Sequence, residues 1–418
     1  MNPVRPRPGR ATRRTVLAGV LALAVAGGAA GAPPASAVPG STAAPAAADR
    51  NPARDAHPDA AALSAALRGL PAPHTTAALV RVGGRDGAWH GSAGVRDLVS
   101  GRPADPAGRF RAGSVTKVFV AAVVLQLAGE GRIDPGAPVR AYLPELIPAA
   151  YGKVTVRQLL NHTHGIPGAG EGPDTPEEAY ALRFDGHDPR EMVRRAVAQR
   201  PDFAPGTRQK YHNMGYTVAG LLIERVTGDS YERQVTRRII RPLGLRDSYL
   251  PGDDVRIRGP HNRGYQTLRT GAGTATELRD VTLWNPSGSW AAGDLISTTA
   301  DLERFLAALF RGRVVRGPLL AEMFTLPPVP DHTTCAPAAF GAGLSMVRMG
   351  GREVWGKTGG RYGYGTVLAA TRDLSRTLVQ SVNATDAKSV RRNPVSDGVV
   401  FAAFGSPERP PSTGCPAP

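Results

Sequence analysis

A serine and a lysine three residues apart stand at the start of a long apolar segment. Ser114 is followed by Lys117, and residues 118–127 are almost all aliphatic or aromatic. If this segment is a helix, residues three apart share a face, so the hydroxyl and the amine can meet. Serine is a weak nucleophile until a base accepts its proton, and a buried lysine can be that base. The alternative is a helix-capping serine beside an exposed lysine, but Lys117 would then interrupt an apolar surface at a high cost.

A tyrosine and an asparagine two residues apart form a second pair of candidates. Tyr211 and Asn213 immediately precede an apolar run that begins at Met214. In an extended segment, positions i and i+2 point the same way, so the phenol and the amide can face one cavity. A phenolate beside two ammonium groups would serve as a general base. Taken alone, however, the motif is better explained by Asn213 capping the helix that follows.

The sequence Lys-Thr-Gly-Gly ends a strand-like run late in the chain, from Lys357 to Gly360. Lys357 adds positive charge beside Tyr211, and the hydroxyl of Thr358 can bind a substrate carboxylate. Gly359 lets a substrate lie against the strand edge, and the amide of Gly360 can stabilise an oxyanion. The alternative interpretation of this segment is a glycine-rich strand end with a solvated lysine and no role in catalysis.

Lysines are rare among the basic residues of this chain. The 418 residues carry a formal charge of +16, yet only five of the 51 basic residues are lysines, namely Lys117, Lys153, Lys210, Lys357 and Lys388. Arginine does not deprotonate in proteins, whereas lysine can be tuned to act as a base, so lysines retained against this bias are candidates for chemistry. The basic residues do not cluster among aromatics and no zinc-type spacing occurs, so we expect no nucleic-acid partner and no metal.

The N-terminus has the pattern of an export signal. Arginines are followed by the apolar run 16–30 and by a small-x-small site, so residues 1–37 are predicted to be a signal peptide cleaved after Ala37. The pair Arg13 and Arg14 is similar to a twin-arginine signal. Because the apolar run is short, we expect a secreted protein without a permanent membrane span. Export permits a disulfide between the only two cysteines, Cys335 and Cys415, and two unpaired thiols are the alternative.

Strand patterns at both ends of the chain and helical patterns between them predict an α+β fold, with one sheet completed by both termini. We expect a flexible leader at 38–56, one domain at 57–405 and a loose tail at 406–418. The predicted helices span 59–70, a buried segment from Ser114 to about Gly129, 214–226 and 394–404. The predicted strands span 75–82, 88–95, 342–349, 353–358, 366–371 and 376–381.

Together the three motifs resemble those of the serine β-lactamase and penicillin-binding protein family, for which S-x-x-K and K-T-G are typical. The form with Tyr-x-Asn is that of class C β-lactamases and the related D-alanyl-D-alanine carboxypeptidases. The resemblance covers about residues 63–404 and extends to 110–114, 156–163 and 292–298. It implies a β-lactamase/transpeptidase-like fold, in which a five-stranded antiparallel sheet flanked by helices lies beside an all-helical region, with the site between them.

The resemblance also implies catalytic roles. Ser114 would be the acylated nucleophile and Lys117 its proton partner. Tyr211 would be the acid or base for the leaving group. The amides of Ser114 and Gly360 would form the oxyanion hole.

Substrate binding is implied for Asn213, which would hold the substrate amide, and for Lys357 and Thr358, which would bind its carboxylate. Two positions depart from the family. Gly360 stands where many relatives have serine or threonine, so one side-chain contact to a substrate carboxylate is lost. His164 stands where relatives often have serine, and we expect it to be structural, like its neighbour His162.

These observations predict an exported serine hydrolase without a cofactor, acting as a monomer. The first hypothesis is a D-alanyl-D-alanine carboxypeptidase acting on cell-wall peptides. The second is an esterase or β-lactamase on the same scaffold, acting on small molecules. The third hypothesis is a non-catalytic protein that only binds cell-wall peptides. Such a binder would have no need for Ser114, Lys117, Tyr211 and Lys357 together, which argues against it. The pocket walls, which the motifs do not specify, decide between amide, ester and lactam substrates.

Overall fold

The structure, a computed structural model, describes residues 57–170, 173–271, 275–386, 389 and 391–408. Its main sheet is built from β1 (Thr75–Gly83), β2 (Trp89–Gly94), β7 (Ser345–Met349), β8 (Arg352–Arg361), β9 (Tyr364–Thr371) and β10 (Thr377–Ala384). These six strands lie in the order β2-β1-β10-β9-β8-β7, and all their pairings are antiparallel. Two small ladders pair β3 (Phe110–Arg111) with β6 (Ile296–Ser297) and β4 (Tyr265–Arg269) with β5 (Thr276–Asp280).

Both ends of the described chain build the main sheet, as the sequence predicts. The N-terminal strand β1 pairs with the C-terminal strand β10, so that Leu79 lies opposite Ser381. The sheet has six strands, whereas the resemblance implied five, because both edge strands, β2 and β7, are hydrogen-bonded into it. Strand β7 begins at Ser345 and not at 342, since Gly343 has a φ of +83°, which is not a strand conformation.

Helices cover both faces of the sheet. On one face lie α1 (Ala60–Ala66) and α10 (Pro394–Phe404), whose apolar side chains form one core cluster with the strands. The opposite face packs against the helical part of the molecule, and the two share a second, larger core. The remaining helices are α2 (Thr116–Gly129), α3 (Val156–Leu160), α4 (Pro176–Ala181), α5 (Pro189–Val197), α6 (Met214–Thr227), α7 (Tyr231–Val235), α8 (Thr299–Phe310) and α9 (Pro318–Met323).

Helix α2 runs through the centre of the larger core. Its residues from Val118 to Leu125 are at most 1% exposed, and the ring of Phe119 stacks on Phe305 of α8 with centroids 3.7 Å apart. A helix that is apolar on every side is stable only when it is buried on every side, as the sequence indicated. Burial of each large apolar side chain contributes about 1.5–3 kcal/mol, so this helix is a rigid support for the residues at its N-terminus.

Glycine and proline set the helix boundaries. Helix α6 ends at Gly228, whose φ of +69° closes the last turn in the left-handed conformation. The helix predicted for 59–70 stops at Ala66, because Gly69 has a φ of +79° and Pro71 follows. Helix α10 has the predicted bounds.

Several sequence predictions fall outside the described residues. These are the signal peptide 1–37, the leader 38–56, most of the tail after 405 and Cys415. Cys335 is disulfide-bonded, and its pairing with Cys415 stays a prediction. None of the helices in the described ranges is both long enough and apolar enough to cross a membrane.

Candidate active site

Ser114 lies in a single 3-10 turn, Gly113–Val115, that leads directly into α2. The turn is fastened by Thr116, whose hydroxyl donates to the Gly113 carbonyl at 2.7 Å and accepts from the amide of Leu295 at 3.0 Å. The serine side chain does not cap the helix, because neither the turn nor α2 has a side-chain capping bond. The capping explanation of Ser114 is therefore wrong, and its hydroxyl is left for other partners.

Lys117 is fully buried, with 0% of its surface exposed. Its Nζ lies 3.1 Å from Ser114 Oγ, 2.8 Å from Asn213 Oδ1 and 2.6 Å from the carbonyl oxygen of Ala292. These three oxygens belong to uncharged groups. The exposed-lysine alternative is therefore wrong, and the amine meets the serine as the helical spacing predicted.

Tyr211 approaches Ser114 from the loop before α6. Its hydroxyl donates to Ser114 Oγ at 2.8 Å, and its ring packs against His162 with centroids 4.5 Å apart. Burial raises the pKa of Tyr211, an effect larger than the opposing one of the hydrogen bond to Ser114. The expectation that neighbouring lysines make it a phenolate is not supported, since the cost of burying the anion dominates.

Asn213 occupies the N-cap position of α6, but its side chain makes no capping bond. Its Oδ1 accepts from Lys117 instead, which fixes the orientation of the amide because an amine N–H needs an oxygen acceptor. The residue is exposed toward solvent. The capping explanation therefore fails, and the amide nitrogen is available on the side away from Lys117.

Lys357 lies on β8 and is only 4% exposed, so the solvated-lysine alternative is wrong. Its Nζ donates to the carbonyl oxygen of the next residue, Thr358, at 2.9 Å and lies 4.6 Å from the centroid of the Tyr211 ring. Burial lowers the pKa of Lys357 to about 7. Its charge is therefore sensitive to pH near neutrality.

The nucleophile turn and β8 approach each other through backbone atoms. A Cβ on Gly359 would lie 1.9 Å from the carbonyl oxygen of Ala112 and 3.2 Å from the amide nitrogen of Ser114. A Cβ on Gly113, whose φ is +55°, would lie 2.7 Å from the amide nitrogen of Gly360. Only glycines permit this approach, which brings the two expected oxyanion donors, the amides of Ser114 and Gly360, beside each other.

Three histidines surround the tyrosine loop and are neutral. Burial, the largest cause for each, lowers the pKa of His162 well below its ordinary value, that of His164 to about 3 and that of His212 to about 4. His162 supports the ring of Tyr211, and its Nδ1 accepts from the amide of His212 at 3.3 Å. No cluster of three or more metal-ligating side chains occurs within the described ranges.

Sequence reasoning missed one contributor to this site, the Ala292 carbonyl, and named another, His162, only as a structural residue. The Ala292 carbonyl holds Lys117, and His162 forms one wall around Tyr211. The segments 292–298 and 156–163 were noted as family features, but nothing in them indicated a backbone carbonyl or a packing ring. The structure brings together Ser114, Lys117, Tyr211, Asn213, Lys357, Thr358, Gly359 and Gly360.

Comparison with known proteins identifies the family of this chain. A profile of the beta-lactamase family, described as Beta-lactamase, matches residues 33–399. The chain is 34% identical to Esterase EstB of Burkholderia gladioli over 181 residues, which are 41% of this chain and 46% of that protein. It is 28% identical to Unguisins hydrolase ungD' of Aspergillus campestris over 292 residues, 66% of this chain and 52% of that protein. The chain thus spans about half the length of the curated relatives that it matches.

Solved structures match over a larger share of the chain. A D-stereospecific amidohydrolase from Streptomyces sp. superposes with a TM-score of 0.72 at 35% identity, covering 83% of this chain and 99% of that one. The D-amino acid amidase from Ochrobactrum anthropi SV3 gives a TM-score of 0.70 at 26% identity, covering 82% and 98%. The resemblance inferred from the motifs is confirmed. The chain belongs to the beta-lactamase family, whose superfamily also contains the penicillin-binding proteins.

Proposed function

We propose that this chain is an exported serine hydrolase that cleaves the amide bond before a C-terminal D-amino acid, through an acyl-enzyme on Ser114. The observation that carries the proposal is the convergence of two proton-transfer groups on one hydroxyl. Lys117 Nζ and the Tyr211 hydroxyl lie 3.1 and 2.8 Å from Ser114 Oγ. One group can take the serine proton while the other supplies a proton to the leaving group.

Lys117 is placed to act as the base. A neutral lysine amine has two N–H donors and one lone pair. Asn213 Oδ1 and the Ala292 carbonyl oxygen can only accept, and at 2.8 and 2.6 Å they take both donors. The lone pair is then directed at Ser114 Oγ, so the serine proton passes to Lys117 as Oγ attacks the substrate carbonyl. The amides of Ser114 and Gly360 stabilise the oxyanion that forms.

Tyr211 is placed to act as the acid. Because burial raises its pKa, the phenol carries its proton at neutral pH. An amide nitrogen must gain a proton before it can leave, whereas an activated phenol ester leaves as an anion without one. A proton held on Tyr211 beside the nucleophile therefore favours amide substrates.

The charges around the nucleophile favour a substrate with a free carboxylate on its leaving group. Lys357 lies beside Tyr211, with its Nζ 4.6 Å from the centroid of the tyrosine ring. A C-terminal D-amino acid places its carboxylate on this side of the scissile bond. The structural similarity to a D-stereospecific amidohydrolase and to a D-amino acid amidase supports recognition of a D residue at the scissile bond.

An esterase is the second candidate, and Gly360 favours it. A glycine at this position provides no hydroxyl for a substrate carboxylate, so the carboxylate is held less firmly than in relatives with serine or threonine. The similarity to Esterase EstB supports the same alternative.

The test compares three substrates: an acyl-D-Ala-D-Ala peptide, its L-Ala-L-Ala isomer and a p-nitrophenyl ester. We expect hydrolysis of the D,D-peptide and not of the L,L-peptide, with loss of activity in Ser114→Ala. A fluorescent penicillin, followed by mass mapping, should label the peptide that contains Ser114. Turnover of the ester with neither peptide cleaved would favour the esterase. A label elsewhere, or full activity in Ser114→Ala, would refute the acyl-enzyme.

Export rests on the sequence pattern of residues 1–37. We expect the mature protein in the culture medium to begin at Val38, which N-terminal sequencing would show. Retention of the full-length chain inside the cell would refute this part of the proposal.

A further inference from the structure

Strand β8 presents two cations on the face that meets the nucleophile. Its pairing with β9 runs in register without a bulge from Val354 to Arg361, so alternate side chains share a face. Lys357, Gly359 and Arg361 therefore point the same way. Lys357 and Arg361 are separated by about 13 Å along the strand. Gly359, midway between them, is the residue that packs against the backbone of Ser114. The nucleophile thus lies between the two cations.

Arg361 reaches the nucleophile turn from the side opposite to Lys357. Its Nη1 donates to the hydroxyl of Ser289. Gly293 lies between Ser289 and the nucleophile turn. A Cβ on Gly293 would lie 3.1 Å from the Cβ of Ser289 and 3.7 Å from the carbonyl carbon of Gly113. The guanidinium is therefore anchored beside the residue that precedes Ser114.

The charge of Arg361 is not neutralised by the described residues. Ser289 is the one hydrogen-bond partner of its guanidinium among them, and no carboxylate of the described ranges forms an ion pair with it. The acid that acts on it electrostatically is Asp294, whose pKa burial raises to about 8, so that this carboxyl is mostly protonated at neutral pH. Burial and the neighbouring Arg111 lower the pKa of Arg361 to about 10, which leaves it charged. A guanidinium has five N–H donors, so a single neutral partner leaves donors that an anionic ligand can accept from.

We propose that Arg361, positioned by Ser289, binds a carboxylate on the acyl part of the substrate. This inference rests on the proposed acyl-enzyme at Ser114. The leaving group must lie next to Tyr211, which is the Lys357 side of the nucleophile. The acyl part then extends along β8 toward Arg361, about 6.6 Å beyond Gly359 along the strand. The substrates assigned to this site are acyl donors that carry an anionic group a few atoms from the scissile carbonyl, such as peptides with an acidic acyl residue.

Two p-nitrophenyl esters of equal chain length test the inference. The adipate monoester carries a carboxylate at the far end of its acyl chain, and the hexanoate ester does not. Both transfer their acyl group to Ser114 with release of p-nitrophenol, and water then releases the acid. We expect the wild type to prefer the adipate ester by about 10- to 150-fold in kcat/KM, the range of one charge-assisted hydrogen bond. Arg361→Gln should abolish this preference, and Arg361→Lys should keep part of it.

Arg316→Gln is the matched control, because it removes the same charge from an exposed residue remote in sequence from β8. It should leave the preference at the wild-type value. If Arg361→Gln does not fold, Ser289→Ala tests the same point, since it removes the hydrogen bond that orients the guanidinium, and the preference should fall by about 2- to 13-fold.

An equal kcat/KM for the two esters in the wild type, or an unchanged ratio in Arg361→Gln, would overturn the inference and leave the proposed function intact. Hydrolysis of both esters at the wild-type rate in Ser114→Ala would overturn the proposed function, and the inference with it.

Discussion

Replacing Lys117 by arginine keeps a positive charge but removes the ability to accept a proton. In the structure the amine is surrounded by three oxygens, at 2.6, 2.8 and 3.1 Å. Two of them are obligate acceptors, and the third is Ser114 Oγ. The five N–H donors of arginine have no lone pair to direct at the serine, so the proton of Ser114 has no destination.

Two effects set the expected magnitude. Loss of a proton-transfer group lowers rates by about 10²- to 10⁴-fold, which corresponds to about 3–5 kcal/mol in the barrier. Lys117 is also 0% exposed, and a larger head group there should reduce the free energy of unfolding by about 1–3 kcal/mol. The loss of activity should therefore exceed what the loss of folded protein explains.

Stopped-flow release of p-nitrophenol measures acylation directly, and thermal unfolding measures stability in parallel. Lys153→Arg, a change at an exposed lysine, is the matched control and should behave as wild type. Lys117→Ala leaves room for a small amine, so added propylamine should restore part of the acylation rate of this variant. Propylamine should not restore the acylation rate of Lys117→Arg. A folded Lys117→Arg enzyme within tenfold of wild type would show that charge alone is needed, and the assignment of the base would be wrong.

Three further outcomes are expected. Tyr211→Phe should slow peptide hydrolysis by about 10²- to 10⁴-fold and p-nitrophenyl ester hydrolysis far less, because only the amide nitrogen needs a proton; equal losses would refute the role as acid. Since burial lowers the pKa of Lys357 to about 7, its charge is present below pH 7 and lost above it. The kcat/KM of a peptide with a free C-terminal carboxylate, divided by that of its C-terminal amide, should therefore fall as pH rises through about 7, and a flat ratio would contradict carboxylate binding by this lysine. Gly359→Ala should abolish acylation, because the new Cβ would lie 1.9 Å from the Ala112 carbonyl oxygen, while Gly365→Ala, whose Cβ has only a contact at 3.7 Å, should remain active; similar activity in both would refute the close approach.

The local parts of the site were predictable from sequence. The three-residue spacing of Ser114 and Lys117 on a helix is what brings hydroxyl and amine within 3.1 Å. The bounds of α10 and the end of α6 at Gly228 followed from apolar patterns and from glycine. These features depend on contacts between residues that are close in the chain, which is why a single sequence contains them.

The long-range parts were not predictable in the same way. Asn213 looked like a helix cap, and only the packing of α6 against α2 shows that its oxygen faces Lys117. The pKa of Tyr211 was expected to fall beside lysines, but the depth of burial reverses the direction. Burial and packing depend on the whole fold, so residue types at one position do not reveal them.

The distribution of lysine and arginine over the site follows the chemistry that each can perform. Of the four lysines that the structure describes, Lys117 and Lys357 are buried beside the nucleophile, Lys153 is exposed and Lys210 pairs with Asp202 on the surface. Arg361 shares a strand face with Lys357 and does not titrate near neutrality. In a chain that otherwise uses arginine, the two buried lysines thus lie where we infer that a proton moves or where burial makes the charge respond to pH. Arginine stands where we infer a permanent charge. Exchanging the two residue types should therefore impair function at both places. Lys117→Arg puts a fixed charge where a proton must be accepted, and Arg361→Lys puts a group that can lose its proton where the charge must be permanent.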